Sequence, residues 1–258
     1  MSNIANAFRS NNKAFIVFLT AGDPSIEKSA EFVIDMVGAG ADLVEIGIPF
    51  SDPIAEGPVI QRANIRALKN GASMEKVFWL IEQTRLKTQV PLVFLTYLNP
   101  VFHYGYEAFF KRCKQTGVDG LIIPDMPFEE QGEVKDSASA YGVDVISLVA
   151  PTSEERIKEI AAKSTGFIYI VSSMGVTGVR DKIETNIDGI VKAAHSAADT
   201  PAAVGFGINT PDQAARIAKS ADGVIVGSAI VRIIEEYGKD AGPHLAAYVK
   251  QMKSAIAD

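Results

Sequence analysis

The sequence predicts a single closed (β/α)8 TIM barrel, an α/β fold, over residues 1–258, and three observations carry that expectation. Eight short apolar runs of strand length recur along the chain. Segments with helical spacing lie between them, so strand and helix alternate throughout, the pattern of a parallel sheet built from β-α units. Dividing 258 residues by eight gives roughly 32 per unit, the size of one such unit. An open doubly wound sheet is the alternative. That fold usually has about five or six strands and a glycine-rich first turn, and Thr20-Ala21-Gly22-Asp23 is no G-x-G-x-x-G.

Taken in chain order, residues 1–11 read as a short helix with Ile4, Ala7 and Phe8 on its apolar face, placed to plug the bottom of the barrel. The strands are expected at 15–19, 43–46, 92–95, 120–123, 143–149, 167–171, 202–204 and 223–226. Helical spacing marks 26–37, 74–85, 106–115, 130–141, 154–162, 187–196 and 211–218. Three of these helices open on a cap: Asp23-Pro24-Ser25, Thr152-Ser153-Glu154 and Asn209-Thr210-Pro211 place a hydroxyl at a free amide and Pro in or near the first turn. Gly38 and Gly40, Gly117 and Gly142 suit left-handed C-caps. No linker, low-complexity tract or charge block marks a boundary, so one domain is expected over 1–258.

Composition narrows the function classes. A net charge of −6 with no basic run argues against nucleic acid, whose phosphates are met by dense Lys and Arg. The single cysteine, Cys113, leaves no intramolecular disulfide and no C-x-x-C site. No run reaches about 18 uninterrupted apolar residues, and 15–19 is too short for a signal segment, so a soluble cytoplasmic chain is expected.

In such a barrel the working groups sit at the C-terminal ends of the strands. Those ends carry no lysine, which disfavours imine chemistry, and the histidines His103, His195 and His244 lie far apart, so no metal site is expected. Carboxylates remain. Glu45 stands inside a run that reads as buried on both faces, where a carboxylate needs a partner or a task. A salt bridge to a neighbouring Lys or Arg is the competing explanation. Glu56 follows in the loop, and two carboxylates in unlike surroundings can have their pKa values pushed apart for acid and base work. Gly205-Phe206-Gly207 and Gly227-Ser228-Ala229 end the seventh and eighth strands, where barrels often bind phosphate through glycine amides and a helix N-terminus. The segment from Ser172 to Asn186 is long for a connection and, with Gly175 and Gly178 as hinges, reads as a mobile lid after strand six. Phe18, Tyr97, Tyr169 and Phe206 can line a flat pocket or simply pack the core.

The loop Pro49-Phe50-Ser51-Asp52-Pro53-Ile54-Ala55-Glu56-Gly57-Pro58 fits the signature P-F-S-D-P-x-A-(D/E)-G-P. With Gly175-Val176-Thr177-Gly178 and Gly205-Phe206-Gly207-Ile208 in their order, the chain closely resembles the tryptophan synthase α subunits over its whole length. The resemblance implies a lyase that splits indole-3-glycerol phosphate into indole and glyceraldehyde 3-phosphate by a retro-aldol step. It implies no cofactor in this chain and a β subunit, carrying pyridoxal phosphate, that receives the indole in an α2β2 heterotetramer. Glu45 matches the proton-shuttling glutamate, and Glu56 the carboxylate that takes the indole N–H proton, where many members carry Asp. Phe18, Leu95, Tyr97, Ile122, Leu148, Tyr169 and Phe206 match indole-lining positions. Gly178, Gly207, Gly227 and Ser228 match phosphate contacts, and Thr177 matches the lid threonine that bonds the loop carboxylate. Ser173 stands where numerous relatives have Arg, and Met126 where many have Leu. Pro49, Asp52, Asn99 and Asp125 are expected on or near the surface facing the β subunit.

Overall fold

Alternation along the strands sorts most of the buried apolar side chains into two cores, and a third, smaller cluster gathers Phe18, Val59, Ile60, Ala63 and Val231. In β1 (Ala14–Thr20), Phe15, Val17 and Leu19 pack toward the helices while Ala14 and Ile16 fill the interior, because successive side chains of a strand point to opposite faces. The computed structural model describes residues 2–8, 13–171, 186–205 and 207–257. After β1 come α1 (Ile26–Gly38), β2 (Leu43–Gly47), α2 (Pro58–Lys69), α3 (Met74–Arg85), β3 (Leu92–Leu95), α4 (Leu98–Tyr104) and α5 (Tyr106–Thr116). The middle holds β4 (Gly120–Ile122), α6 (Gly132–Tyr141), β5 (Asp144–Val145), β6 (Ser147–Val149), α7 (Glu154–Ala162) and β7 (Ile168–Val171). The chain closes with α8 (Ile187–His195), β8 (Ala202–Gly205), α9 (Pro211–Ala218), β9 (Gly223–Val226), α10 (Ser228–Tyr237) and α11 (Gly242–Ala255).

All strand pairs are parallel, in the spatial order β5-β4-β3-β2-β1-β9-β8-β7-β6. The two ends of that order are neighbours in the chain, with only Ile146 between them, and Ile146 N–H still bonds Leu121 C=O at 2.9 Å. The fold is thus a (β/α)8 barrel whose fifth strand is shared. Its lower half pairs with β4 (Gly120↔Asp144) and its upper half with β7 (Ser147↔Ile168). The single strand expected at 143–149 is divided for that reason: it changes ladder partner midway.

Of the short helix expected over 1–11, the described part is a 3-10 helix, Ile4–Phe8, and residues 1 and 9–11 lie outside the described residues. Ile4 is fully buried and packs in the interior cluster with Phe167 and Ile146, so the turn stoppers the lower end of the barrel. Burying one such side chain contributes about 1.5–3 kcal/mol. Helix caps follow the sequence: Ser25, Ser153 and Thr210 each accept a first-turn amide, Thr210 within a full capping box with Gln213. Gly117 and Gly142 are left-handed C-caps. Gly38 is not; it is the last helical residue of α1, and Ala39 takes the cap in a right-handed conformation.

The lower rim repeats one device. Asp42, Asp119 and Asp222 each precede a strand and accept an amide at the foot of the adjacent strand: Phe15 N–H at 2.6 Å, Leu92 N–H at 3.0 Å and Ala202 N–H at 2.8 Å. Each carboxylate also meets a basic side chain, Lys253 at 2.7 Å, Arg85 at 2.8 Å and His195 at 2.8 Å respectively. Asp119 accepts the Asn3 amide as well, at 2.8 Å, which ties the N-terminal turn to the barrel floor.

Candidate active site at the upper rim

Inward alternation on β2 puts Leu43, Glu45 and Gly47 on the barrel side, with Val44 and Ile46 facing the helices. Glu45 is therefore carried into the interior by the same pleat that buries Leu43, and only 1% of it is exposed. Among the described residues no cation pairs with it, and its Oε1 has no hydrogen-bond partner. Burial alone pushes its pKa from the ordinary 4.5 up to about 8. The competing salt bridge is absent among the described residues, so at neutral pH Glu45 is a buried carboxylic acid.

Glu56 lies at the end of the β2–α2 loop, one residue before the Gly57 N-cap of α2. It is buried, and Asn64 Nδ2 of α2 donates to its Oε2 at 2.6 Å, while Gln61 Nε2 donates to its backbone carbonyl at 2.7 Å. Burial raises its pKa to about 7, against the opposing pull of hydrogen bonds from Asn64 and the Tyr97 hydroxyl. Tyr97 also accepts the Ala55 N–H at 3.2 Å, and its ring lies 5.3 Å from that of Phe50, so one side chain braces both ends of the loop.

One cavity gathers most of the expected residues: Phe18, Glu45, Glu56, Leu95, Leu148, Tyr169, Gly207, Gly227 and Ser228 line it, all from strand ends or the loops just beyond them. Ala55, Ile60, Pro124, Ile208 and Ile225 line it too, and sequence reading did not pick these out as site residues. Two expected lining residues stand elsewhere. Tyr97 sits behind the loop that it braces, and Ile122 is fully buried in the interior cluster with Tyr169 and Val93. Thr177, Gly178, Phe206, Ser173 and the rest of the lid expected from Ser172 to Asn186, except Asn186 itself, lie outside the described residues. Of the positions expected toward a partner, Asp52 and Asn99 are exposed and Asp125 is half-buried, whereas Pro49 is buried. The Asp125 carboxylate accepts Leu98 N–H at 3.0 Å at the start of α4.

Glycine makes room for the aromatic walls. A Cβ on Gly47 would come 2.6 Å from the Phe18 ring, and one on Gly205 would come 2.5 Å from the Tyr169 hydroxyl. The Tyr169 hydroxyl is held well above its usual pKa, by burial first and by the Glu45 charge second, so it stays neutral beside the acid. Opposite chemistry marks the end formed by β8 and β9. Gly207 has a left-handed φ of +83°, and α10 begins on Gly227 with no side-chain cap. First-turn amides and the positive end of the helix dipole thus face the cavity, an arrangement suited to a phosphate-sized anion. Among the described residues no group of three or more His, Cys, Asp or Glu side chains is placed to hold a metal ion.

A cavity with an apolar slot, two buried carboxyl groups and an end suited to an anion is thus built on a (β/α)8 barrel, and comparison with known proteins gives it a family. The family model described as Tryptophan synthase alpha chain matches residues 4–257. The chain belongs to this family. It is 47% identical over 256 residues to the tryptophan synthase alpha chain of Lacticaseibacillus casei, covering 99% of this chain and 96% of that one. The alpha chain of Geobacter sulfurreducens is 42% identical, with 100% of both chains covered. Among solved structures, Mycobacterium tuberculosis tryptophan synthase superposes with a TM-score of 0.91 at 34% identity, covering 100% of this chain and 99% of that chain. The tryptophan synthase α2β2 complex of Pyrococcus furiosus gives 0.87 at 35% identity, covering 94% and 98%.

Proposed function

We propose that the chain is a carbon-carbon lyase, the α subunit of a tryptophan synthase, cleaving indole-3-glycerol phosphate to indole and glyceraldehyde 3-phosphate. The observation that carries this reading is the pairing of two buried carboxyl groups, with pKa values of about 8 and about 7, in one apolar cavity that ends at an uncapped helix N-terminus. Family membership supports this choice of substrate, and the placement of the cavity residues supports a role for each group.

In this reading the phosphate rests on the amides of α10 and the turn at Gly207, and the indole ring lies between Phe18, Leu95, Leu148 and Tyr169. Glu45, protonated at neutral pH, delivers its proton to ring carbon C3, while the Glu56 carboxylate takes the N–H proton, so the ring becomes its indolenine tautomer. The Glu45 carboxylate so formed then removes the proton of the hydroxyl on the side-chain carbon attached to C3. That oxygen's electrons form the aldehyde, the carbon–carbon bond breaks, and its electron pair restores the C2=C3 double bond. The nitrogen regains its proton from Glu56. Both carboxyl groups end as they began. No cofactor is assigned to this chain; pyridoxal phosphate belongs to the partner β subunit, which receives the indole in an α2β2 assembly of the cytoplasm. No helix among the described residues is long and apolar enough to cross a membrane.

The test is indole release from indole-3-glycerol phosphate by the purified chain, alone and with a cognate β subunit. Indole formation that accelerates with the β subunit is expected. A fast rate unchanged by the β subunit would make the chain a free-standing lyase, and no indole in either mixture would overturn the assigned reaction.

A further inference from the structure

Helix α2 is anchored on its far side from the cavity. Arg62 and Arg66 both reach Glu235 of α10, at 2.7 and 2.9 Å, and Arg66 also pairs with the buried Asp23 after β1 at 2.7 Å. On the inward side, Ile60, Ala63 and Ala67 form the buried stripe, and Asn64 stands within it with 3% exposure. A polar side chain at the centre of an apolar stripe needs a partner. Its partner is Glu56, whose Oε2 accepts the Asn64 amide at 2.6 Å.

From this geometry we infer that Asn64 is a positioning residue: its side-chain amide, fixed on a clamped helix, holds the Glu56 carboxylate at the cavity wall in the orientation needed to take a proton. The inference rests on the reading of Glu56 as a base. A glutamate has three side-chain torsions, so a carboxylate left free on a loop would visit many orientations, and a proton acceptor must lie within hydrogen-bond reach of its proton. Asn64 removes that freedom from a rigid element, which is the arrangement that gives a site its precision. The amide also favours the ionised form of Glu56, as the Tyr97 hydroxyl does. Other titratable groups facing this site are Glu45 and Tyr169 in the cavity wall and Asp125, which acts on Tyr97.

Asn64→Leu keeps the volume and the helix while deleting the donor, and Asn64→Ala deletes it with a smaller side chain, so a failure of one variant to fold leaves the other. Two readouts are needed. The first is the titration of the Glu56 carboxyl carbon by ¹³C NMR, its signal identified by its loss in Glu56→Gln. The second is the pH profile of kcat and KM for indole-3-glycerol phosphate. The midpoint is expected to rise by about one pH unit, and kcat near pH 6.5 to fall roughly 10- to 100-fold with KM nearly unchanged, the deficit narrowing toward pH 8. An unchanged Glu56 titration and an unchanged acid limb in a folded variant would overturn the proposal. If the wild-type chain releases no indole, the functional reading fails, yet the NMR titration still decides whether Asn64 controls the Glu56 carboxyl group.

Discussion

The two rims of the barrel use the same functional group in opposite ways. At the lower rim Asp42, Asp119 and Asp222 are each held by a strand amide and a basic side chain, so each carboxylate has partners supplied by the fold itself. At the upper rim Glu45 has one oxygen with no partner among the described residues, and Glu56 keeps a raised pKa despite Asn64. A carboxylate whose partners are permanent is spent on structure. One that is buried with bonds still to make retains a proton that a substrate can use, and the cost of holding it there falls on stability.

The largest effect that sharpens this contrast is expected from Glu45→Gln. Turnover should fall by about 10²- to 10⁴-fold, the usual worth of one positioned acid or base. Stability should move the other way. The folded state keeps the Glu45 proton up to about pH 8, whereas the ordinary carboxyl value is 4.5. The stabilising contribution of the neutral acid is therefore complete below about pH 4.5 and is lost as pH rises through about 8. At pH 7 the wild type carries a penalty of about 3 kcal/mol that the amide escapes, so urea melts should show the variant more stable at pH 7 than the wild type and nearly equal at pH 4. A variant less stable at both would break the comparison. Wild-type kcat/KM should also form a narrow bell, rising as Glu56 ionises near pH 7 and falling as Glu45 loses its proton near pH 8.

Asp119→Ala should do the reverse of the Glu45 substitution. It leaves the Arg85 guanidinium without its counter-ion and the Leu92 and Asn3 amides without their acceptor, so a loss of about 3–5 kcal/mol is expected in denaturant melts, with kcat per folded molecule unchanged. A fall in kcat without a fall in stability would mean that the two rims do not divide the work this way. The smallest effect belongs to Gly205→Ala. Its methyl would press on the Tyr169 hydroxyl, and overpacking of this kind costs about 1–3 kcal/mol. Because the displaced ring lines the cavity, kcat/KM should drop by about tenfold, read from steady-state kinetics on indole-3-glycerol phosphate.

Much of the molecule was legible because strands and helices write their periods into the chain. Short apolar runs located β1 and β2 among the strands, and the C-terminal ends of β2, β8 and β9 located Glu45, Gly207, Gly227 and Ser228 at the cavity. Even Asn64 left a signal, a polar residue within the stripe of Ile60, Ala63 and Ala67, but its partner eight residues away could not be read from spacing. Tyr97 shows the limit from the other side. An aromatic residue just past a strand end reads as a pocket wall, and whether it faces the cavity or the loop behind it depends on where the chain turns into α4.

The sequence by itself determined the barrel, the level at which the carboxylates sit, and through its loop signature the family, because these depend on local period and order along the chain. Only the tertiary structure decided that the fifth strand is shared between two ladders, that Ile4 closes the floor, and that Glu45 lacks a counter-ion among the described residues while Asp119 has one. Those outcomes rest on contacts between segments far apart in the chain, and the free energy of a buried charge is set by what surrounds it in space.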